Sequence, residues 1–166
     1  MSANHNVVLV ALAIAGVVDP ALGTSARSVH AELVEVRQVA LNLSLTVLPE
    51  MNSAALERAI RDRLVAAGMG LEESAQSSLF VHTEQLDVPG RDDLLVVRTE
   101  IAVSEEARIS RPGKDLSAWV DIYSTDESFV VSRSEAWSTA ERSLLRMLET
   151  LIDSRSYAAS VKARRR

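Results

Sequence analysis

The sequence predicts an α+β fold: a two-layer sandwich in which a mostly antiparallel four-stranded sheet carries two helices on one face, in the order β-α-β-β-β-α. Three observations predict it. Apolar and polar residues alternate over Val39–Val47 and again over Leu95–Val103, the period of a half-buried strand. Apolar residues recur at three- and four-residue spacing over Leu56–Ala67 and Leu144–Ile152, the stripe of a helix with one buried side. A short Pro89-Gly90 connection joins two strand-like runs, so those two are expected to pair as an antiparallel hairpin.

Each element follows in order. Val39, Leu41, Leu43, Leu45 and Val47 form one side of the first strand; Asn42, Ser44 and Thr46 form the other. The pattern reaches back toward Leu33 but slips near Arg37-Gln38, and Pro49 ends it. Asn52 or Ser53 caps the first helix, whose stripe is Leu56, Ile60, Leu64 and Ala67, with Gly68 as the residue after its end. Leu79–Val88 is the second strand, and the run Leu79-Phe80-Val81 suggests burial on both faces at its start. Pro89-Gly90 with Arg91-Asp92-Asp93 makes the turn, and Leu95–Val103 the third strand, with Arg98 and Glu100 outward. After Pro112-Gly113, Ala118, Val120 and Ile122 form one face of a fourth strand, opposite Trp119, Asp121 and Tyr123. Phe129-Val130-Val131 extends the sheet after a turn at Thr125-Asp126. Ser138-Thr139-Ala140-Glu141 reads as a capping box for a last helix that ends near Tyr157.

The 166 residues suit one domain. The expected division is an export segment over 1–31, cleaved after Gly23, Ala26 or Ala31, a single domain over 32–158, and a basic tail over 159–166. Val7–Val18 is an unbroken apolar run, too short for the roughly 20 residues of a spanning helix but suited to a signal peptide. Its MSANHN start lacks Lys and Arg. The other reading of this run is a buried strand or helix of the domain. No cysteine is present, so no disulfide, thiolate metal site, cysteine nucleophile or lipid-bearing cysteine is expected. Net charge is −5; setting aside Lys162, Arg164, Arg165 and Arg166 leaves 14 basic against 23 acidic residues, a net −9. So acidic a body repels phosphate, and no nucleic-acid partner is expected.

The stretch from Leu79-Phe80-Val81 to Val88, the strand bearing Trp119, and the closing Leu148-Glu149-Thr150-Leu151-Ile152-Asp153 helix with Tyr157 resemble a group of small, uncharacterised bacterial exported α/β proteins. The resemblance covers most of Val39 to Tyr157, and at Ser154-Arg155 the bulky apolar residue of that group is missing. More distantly, the element order is similar to envelope accessory domains, the TolB N-terminal domain and the LptE-like lipoproteins. The resemblance implies an envelope protein and brings no catalytic residues.

Candidate chemistry is sparse. Of three histidines only His82 lies in the body, alternating with Phe80 and Glu84. A His and a carboxylate two apart on a strand can share a proton or, with a third ligand, a metal; a solvated surface pair is the plainer reading. The doublets Glu72-Glu73, Asp92-Asp93 and Glu105-Glu106 sit near expected turns, and neighbours on a strand point to opposite faces. Gly68-Met69-Gly70 follows a helix and lacks the Lys of a phosphate loop; no G-x-S-x-G occurs. Asn42-Leu43-Ser44 matches a glycosylation sequon within a strand. Trp119, Asp121 and Tyr123, on one strand face, form the candidate interaction surface; the plainer reading is that the aromatics pack on a loop or on the N-terminal segment.

The expectation is therefore a non-catalytic accessory or binding protein of the cell envelope, periplasmic or secreted, without cofactor or metal. It would bind another envelope protein or a small ligand through its sheet face or edge, with no stable membrane span. The alternatives are a small periplasmic enzyme using His82 with nearby carboxylates, and a subunit that self-assembles through a strand edge. The sequence leaves the oligomeric state open.

Overall fold

A computed structural model describes residues 32–46, 51–111 and 114–164. The expected export segment, Pro49, Pro112-Gly113 and the last two residues lie outside them. The fold is α+β, with a five-stranded mixed sheet and two helices. The strands are β1 (Gln38–Leu45), β2 (Gly70–Leu71), β3 (Ser77–Val88), β4 (Arg91–Arg111) and β5 (Lys114–Ser132). Helix α1 spans Ser53–Ala66 and α2 spans Ala136–Ala163, the latter entered through a 3-10 turn at Arg133–Glu135.

The sheet order is β2-β1-β3-β4-β5. This corrects the expected four-stranded, mostly antiparallel sheet. β1 pairs parallel with both β2 and β3, while β3-β4 and β4-β5 are antiparallel. The cause is α1: a helix between two paired strands carries the chain back to the starting end, so they align parallel. β2 is only two residues long, too short to show a period.

Two turns explain how the chain folds back. Asn52 caps α1, its Oδ1 accepting from Ala55 N at 3.0 Å. At the other end Gly68 N donates to Val65 O and Met69 N to Leu64 O, both at 2.9 Å, the two bonds of a Schellman motif. That motif requires a left-handed residue, and Gly68 has φ +70°. Met69 is thereby buried and Gly70 N bonds Arg37 O at 2.8 Å, which starts β2. In the β3-β4 hairpin, Gly90 takes φ +76° after Pro89, as the third position of a type II turn demands. β4 begins directly at Arg91, earlier than expected.

The core lies between the helices and one face of the sheet. It combines Leu56, Ile60 and Leu64 of α1, Leu144, Leu148 and Leu151 of α2, and Leu79, Val81, Leu95, Val97, Ile101 and Val103 of β3 and β4. Burying each such side chain stabilises by about 1.5–3 kcal/mol relative to exposure. Leu33 and Val36 join this core ahead of β1, so the apolar pattern seen there is packing and not strand.

Helix α2 departs from expectation at both ends. The capping box at Ser138–Glu141 does not form. Ala136 and Trp137 are buried, so the helix starts before it, and Ser138 Oγ donates to Glu135 O at 3.1 Å. The helix also continues past Tyr157 to Ala163, and Lys162 forms an ion pair with Glu35. Ala158, in the added turns, is buried, and Arg155 fastens the turn before it. Its Nε donates to Val36 O at 2.9 Å and its guanidinium to Ala67 O at 3.1 Å. One side chain thus ties α2 to the segment before β1 and to the end of α1. Here a cation satisfies two backbone carbonyls.

A polar thread crosses the core. Thr99 Oγ1 lies 2.9 Å from Ser143 Oγ, and Ser143 Oγ donates to Glu127 Oε2 at 2.6 Å. Arg146 also bonds Glu127. The Ser143 hydroxyl first, and Arg146 after it, hold the Glu127 carboxyl below the ordinary carboxylate range, against the opposing effect of burial. A carboxyl depressed in the folded state stabilises the fold above the ordinary carboxylate range, and that contribution fades as pH falls through the lowered value.

Two outcomes follow for stability. Urea denaturation of Arg155→Ala shows a loss of about 1.5–3 kcal/mol, the usual worth of hydrogen bonds to a charged donor; a change within the noise of the measurement contradicts the clamp. Acidification from about pH 5 to about pH 2 lowers the melting temperature of the wild type more than that of Glu127→Gln, whose side chain does not titrate. Equal acid sensitivity of the two chains removes Glu127 from the account.

Candidate interaction face

Among the described residues, helices cover only one side of the sheet. Directly opposed residues in a ladder point to the same side, so register alone maps the uncovered face. Its rows, read across the strands, are Leu86–Val96–Val130, Glu84–Arg98–Ser128, Ser44–His82–Glu100–Asp126, Asn42–Phe80–Ala102–Ser124 and Ala40–Ser78–Ser104–Asp121, then Glu106–Trp119. The face has three zones. An apolar row lies at the hairpin end, with Leu86 and Val130 exposed. A charged belt follows, in which Arg98 lies 3.7 Å from Glu100 and 3.4 Å from Asp126. Last comes a strip of small residues between two aromatics.

That strip is the most shaped part of the face. Ala102 and Ser104 are 6% and 3% exposed, whereas Phe80 on β3 and Trp119 on β5 are 41% and 57% exposed. Small side chains at the floor and rings at the rim make a shallow trough. Ser104 Oγ donates to Asp121 across its floor. Phe80 was expected inside a doubly buried strand start; among the described residues no second layer covers it, and its ring is 41% exposed. Sequence reasoning did not single out Phe80 as a surface residue, although its alternation with His82 and Glu84 carries that signal.

β5 is one continuous strand through Thr125-Asp126, where a turn was expected. Those polar residues alternate between faces and do not reverse the chain. A bulge sits elsewhere: Val103 opposes Tyr123 but Ser104 opposes Asp121, leaving Ile122 without a partner. The extra residue inverts the facing of everything before it. Trp119 and Asp121 therefore share the open face, and Tyr123 does not join them. It lies beside Val103 on the helix side, packed against the core, and burial raises its phenol pKa.

His82 is half-buried on the open face beside Glu100, with Glu84 next along the strand. Among the described residues no group of three or more His, Asp or Glu side chains is placed to hold a metal. A cavity of about 400 Å³, lined by Leu43, Leu45, Met51, Ser53 and Glu57, opens on the other side of the sheet, between β1 and the start of α1. His82 does not line it. The doublet Glu105-Glu106 lies inside β4 and not at a turn, with Glu105 accepting from Ser77 Oγ at 2.8 Å on the helix side. No helix among the described residues is long and apolar enough to cross a membrane.

No family model matches the chain, and no curated protein sequence matches it. Two solved structures are similar to it in outline. A PelC dodecamer from Paraburkholderia phytofirmans shares 13% identity at TM-score 0.39, over 70% of this chain and 87% of that one. A minor lipoprotein from Acinetobacter baumannii shares 15% identity at TM-score 0.34, over 75% and 92%. No activity or partner is transferred from either.

The bulge makes a prediction that separates two aromatics four residues apart. Tyr123→Ser destabilises the fold by about 1–3 kcal/mol through lost packing, whereas Trp119→Ser stays within about 0.5 kcal/mol. Chemical denaturation of both variants decides it, and equal costs would place both rings on one face.

Proposed function

We propose that this chain is a non-catalytic accessory protein of the bacterial cell envelope, exported by its N-terminal segment, that binds a partner through the open face of its sheet. The observation that carries the reading is the trough of Ser78, Ala102 and Ser104 between Phe80 and Trp119. Large exposed rings over a small-residue floor are the anchors and pocket of a contact surface. The apolar run Val7–Val18 supports export, with residues 32–158 as the mature domain and a basic end after it. The charged belt supports binding over catalysis. Its arginine is committed to two carboxylates.

In-cell crosslinking from a photoreactive residue at Ser124, on the trough floor, followed by mass spectrometry tests this. A defined partner is recovered with the wild-type face and is lost in the Phe80→Ser, Trp119→Ser double variant, whose melting curve stays close to wild type. Only scattered contacts, or the same partner in both, would defeat the reading. N-terminal sequencing of the protein from the envelope fraction tests export; a retained Met1 in the cytosolic fraction defeats it.

A further inference from the structure

Two strand edges of this molecule fit one another. β4 and β5 outrun the sheet: β3 begins at Ser77 opposite Glu105, so Glu106–Arg111 and Lys114–Trp119 pair only with each other. This ribbon reaches roughly 20 Å past the sheet at about 3.4 Å per residue. Isolated two-stranded ribbons are marginal in water, and this one exposes Leu116, Trp119 and Val120. At the far side of the sheet, β2 pairs with β1 only at Gln38 and Val39. Among the described residues nothing pairs with the outer edge of Ala40–Leu45.

We propose that the β5 strand of the ribbon adds to the free edge of β1 in a second copy of this chain. This surface is separate from the trough and does not depend on it. Facing comes first. β1 and β5 run in the same direction within one copy. A parallel addition therefore keeps the open faces of neighbouring copies on one side. It also keeps Leu116, Ala118 and Val120 on the helix side, where Leu43, Leu45 and Met51 line the cavity beside β1. With Leu116 beside Leu43, Ala118 falls beside Leu45 and Ser117 beside Ser44. Apolar residues of one copy thus meet the leucines and Met51 that line part of the cavity of the next, while polar Ser117 and Asp115 stay level with Ser44 and Asn42.

Charge favours the same pairing. Over Glu106–Arg111 and Lys114–Trp119 the ribbon holds three basic residues, Arg108, Arg111 and Lys114, against two acidic ones, Glu106 and Asp115. β1 is uncharged, and its free edge is flanked by Glu57 at the cavity and by Glu72-Glu73 just past β2. The bulge at Ile122 limits the contact to the flat part of β5, since a bulged, twisted edge pairs poorly. The two surfaces differ, so the contact is head-to-tail and repeats: copies close into a ring if the rotation between them allows, and otherwise form an open fibre.

The absence of native cysteine makes the test clean. Full-length chains carrying Ser44→Cys and Ser117→Cys, both conservative changes at exposed positions, are mixed under mild oxidation, with Ser117→Cys plus Ser128→Cys as the control. The expected result is a disulfide dimer from the first mixture, little from the control, and a ladder of covalent oligomers from one chain bearing both Ser44→Cys and Ser117→Cys. By sedimentation the wild type assembles with concentration, and Lys114→Glu with Leu116→Asp weakens assembly at least about tenfold with an unchanged melting curve. A wild type that stays monomeric at its highest soluble concentration overturns the proposal. So does an oligomer whose Ser44/Ser117 crosslinking does not exceed the control.

Discussion

A helix layer can bury one side of a sheet and only as much length as the helices themselves reach. That limit shapes this molecule more than any single bond. α2 lies along β4 and β5, and α1 closes the β1 end. Alternate residues of β3 and β4 under this layer are mostly apolar from Leu79 to Val103, with Thr83, Gln85 and Thr99 the polar ones among them. Beyond the layer the same alternation continues, and no other described residue covers it, which leaves an open face, an overhanging ribbon and a β1 edge unpaired among the described residues.

Arg155 and Glu127 answer the difficulty of holding a long helix on a twisted sheet. Near its start, α2 is tied to β4 and β5 by hydroxyls and a carboxylate. Near its end it is tied to two carbonyls outside the sheet. Both ties use charged or hydroxyl groups where pure apolar packing would let the helix slide. Hydrogen bonds to half-buried charges are worth more than exposed ion pairs, which is why these two differ from surface pairs such as Arg91 with Asp93.

Much of this was legible in the sequence, and the failures have specific causes. The Asn52 cap, the Gly68 stop and the stripes of both helices could be read because each depends on residues a few positions apart. β2 could not, since two residues carry no period and its pairing depends on Arg37 and Val39 far upstream. The bulge at Ile122 hid within a stretch whose alternation looks unbroken from Trp119 to Tyr123, so three residues assigned to one face divide between two. Ser138 and Glu141 form a sound local capping signal that tertiary burial of Ala136 and Trp137 overrode. At the candidate site, Trp119 and Asp121 were readable, while Phe80 was masked by the apolar neighbours Leu79 and Val81.

The thread through Thr99, Ser143 and Glu127 also acts as a registration mark. Leucines along α2 are nearly interchangeable, so a shift of the helix by one turn would still set leucine against valine and lose little dispersion energy. The hydroxyl of Ser143 has no such tolerance. Moved by roughly 5 Å, the rise of one turn, it would leave the buried Thr99 hydroxyl without Ser143 and strip Glu127 of one of its two side-chain partners. The core's few polar atoms thus select a single alignment from several that its apolar atoms would accept.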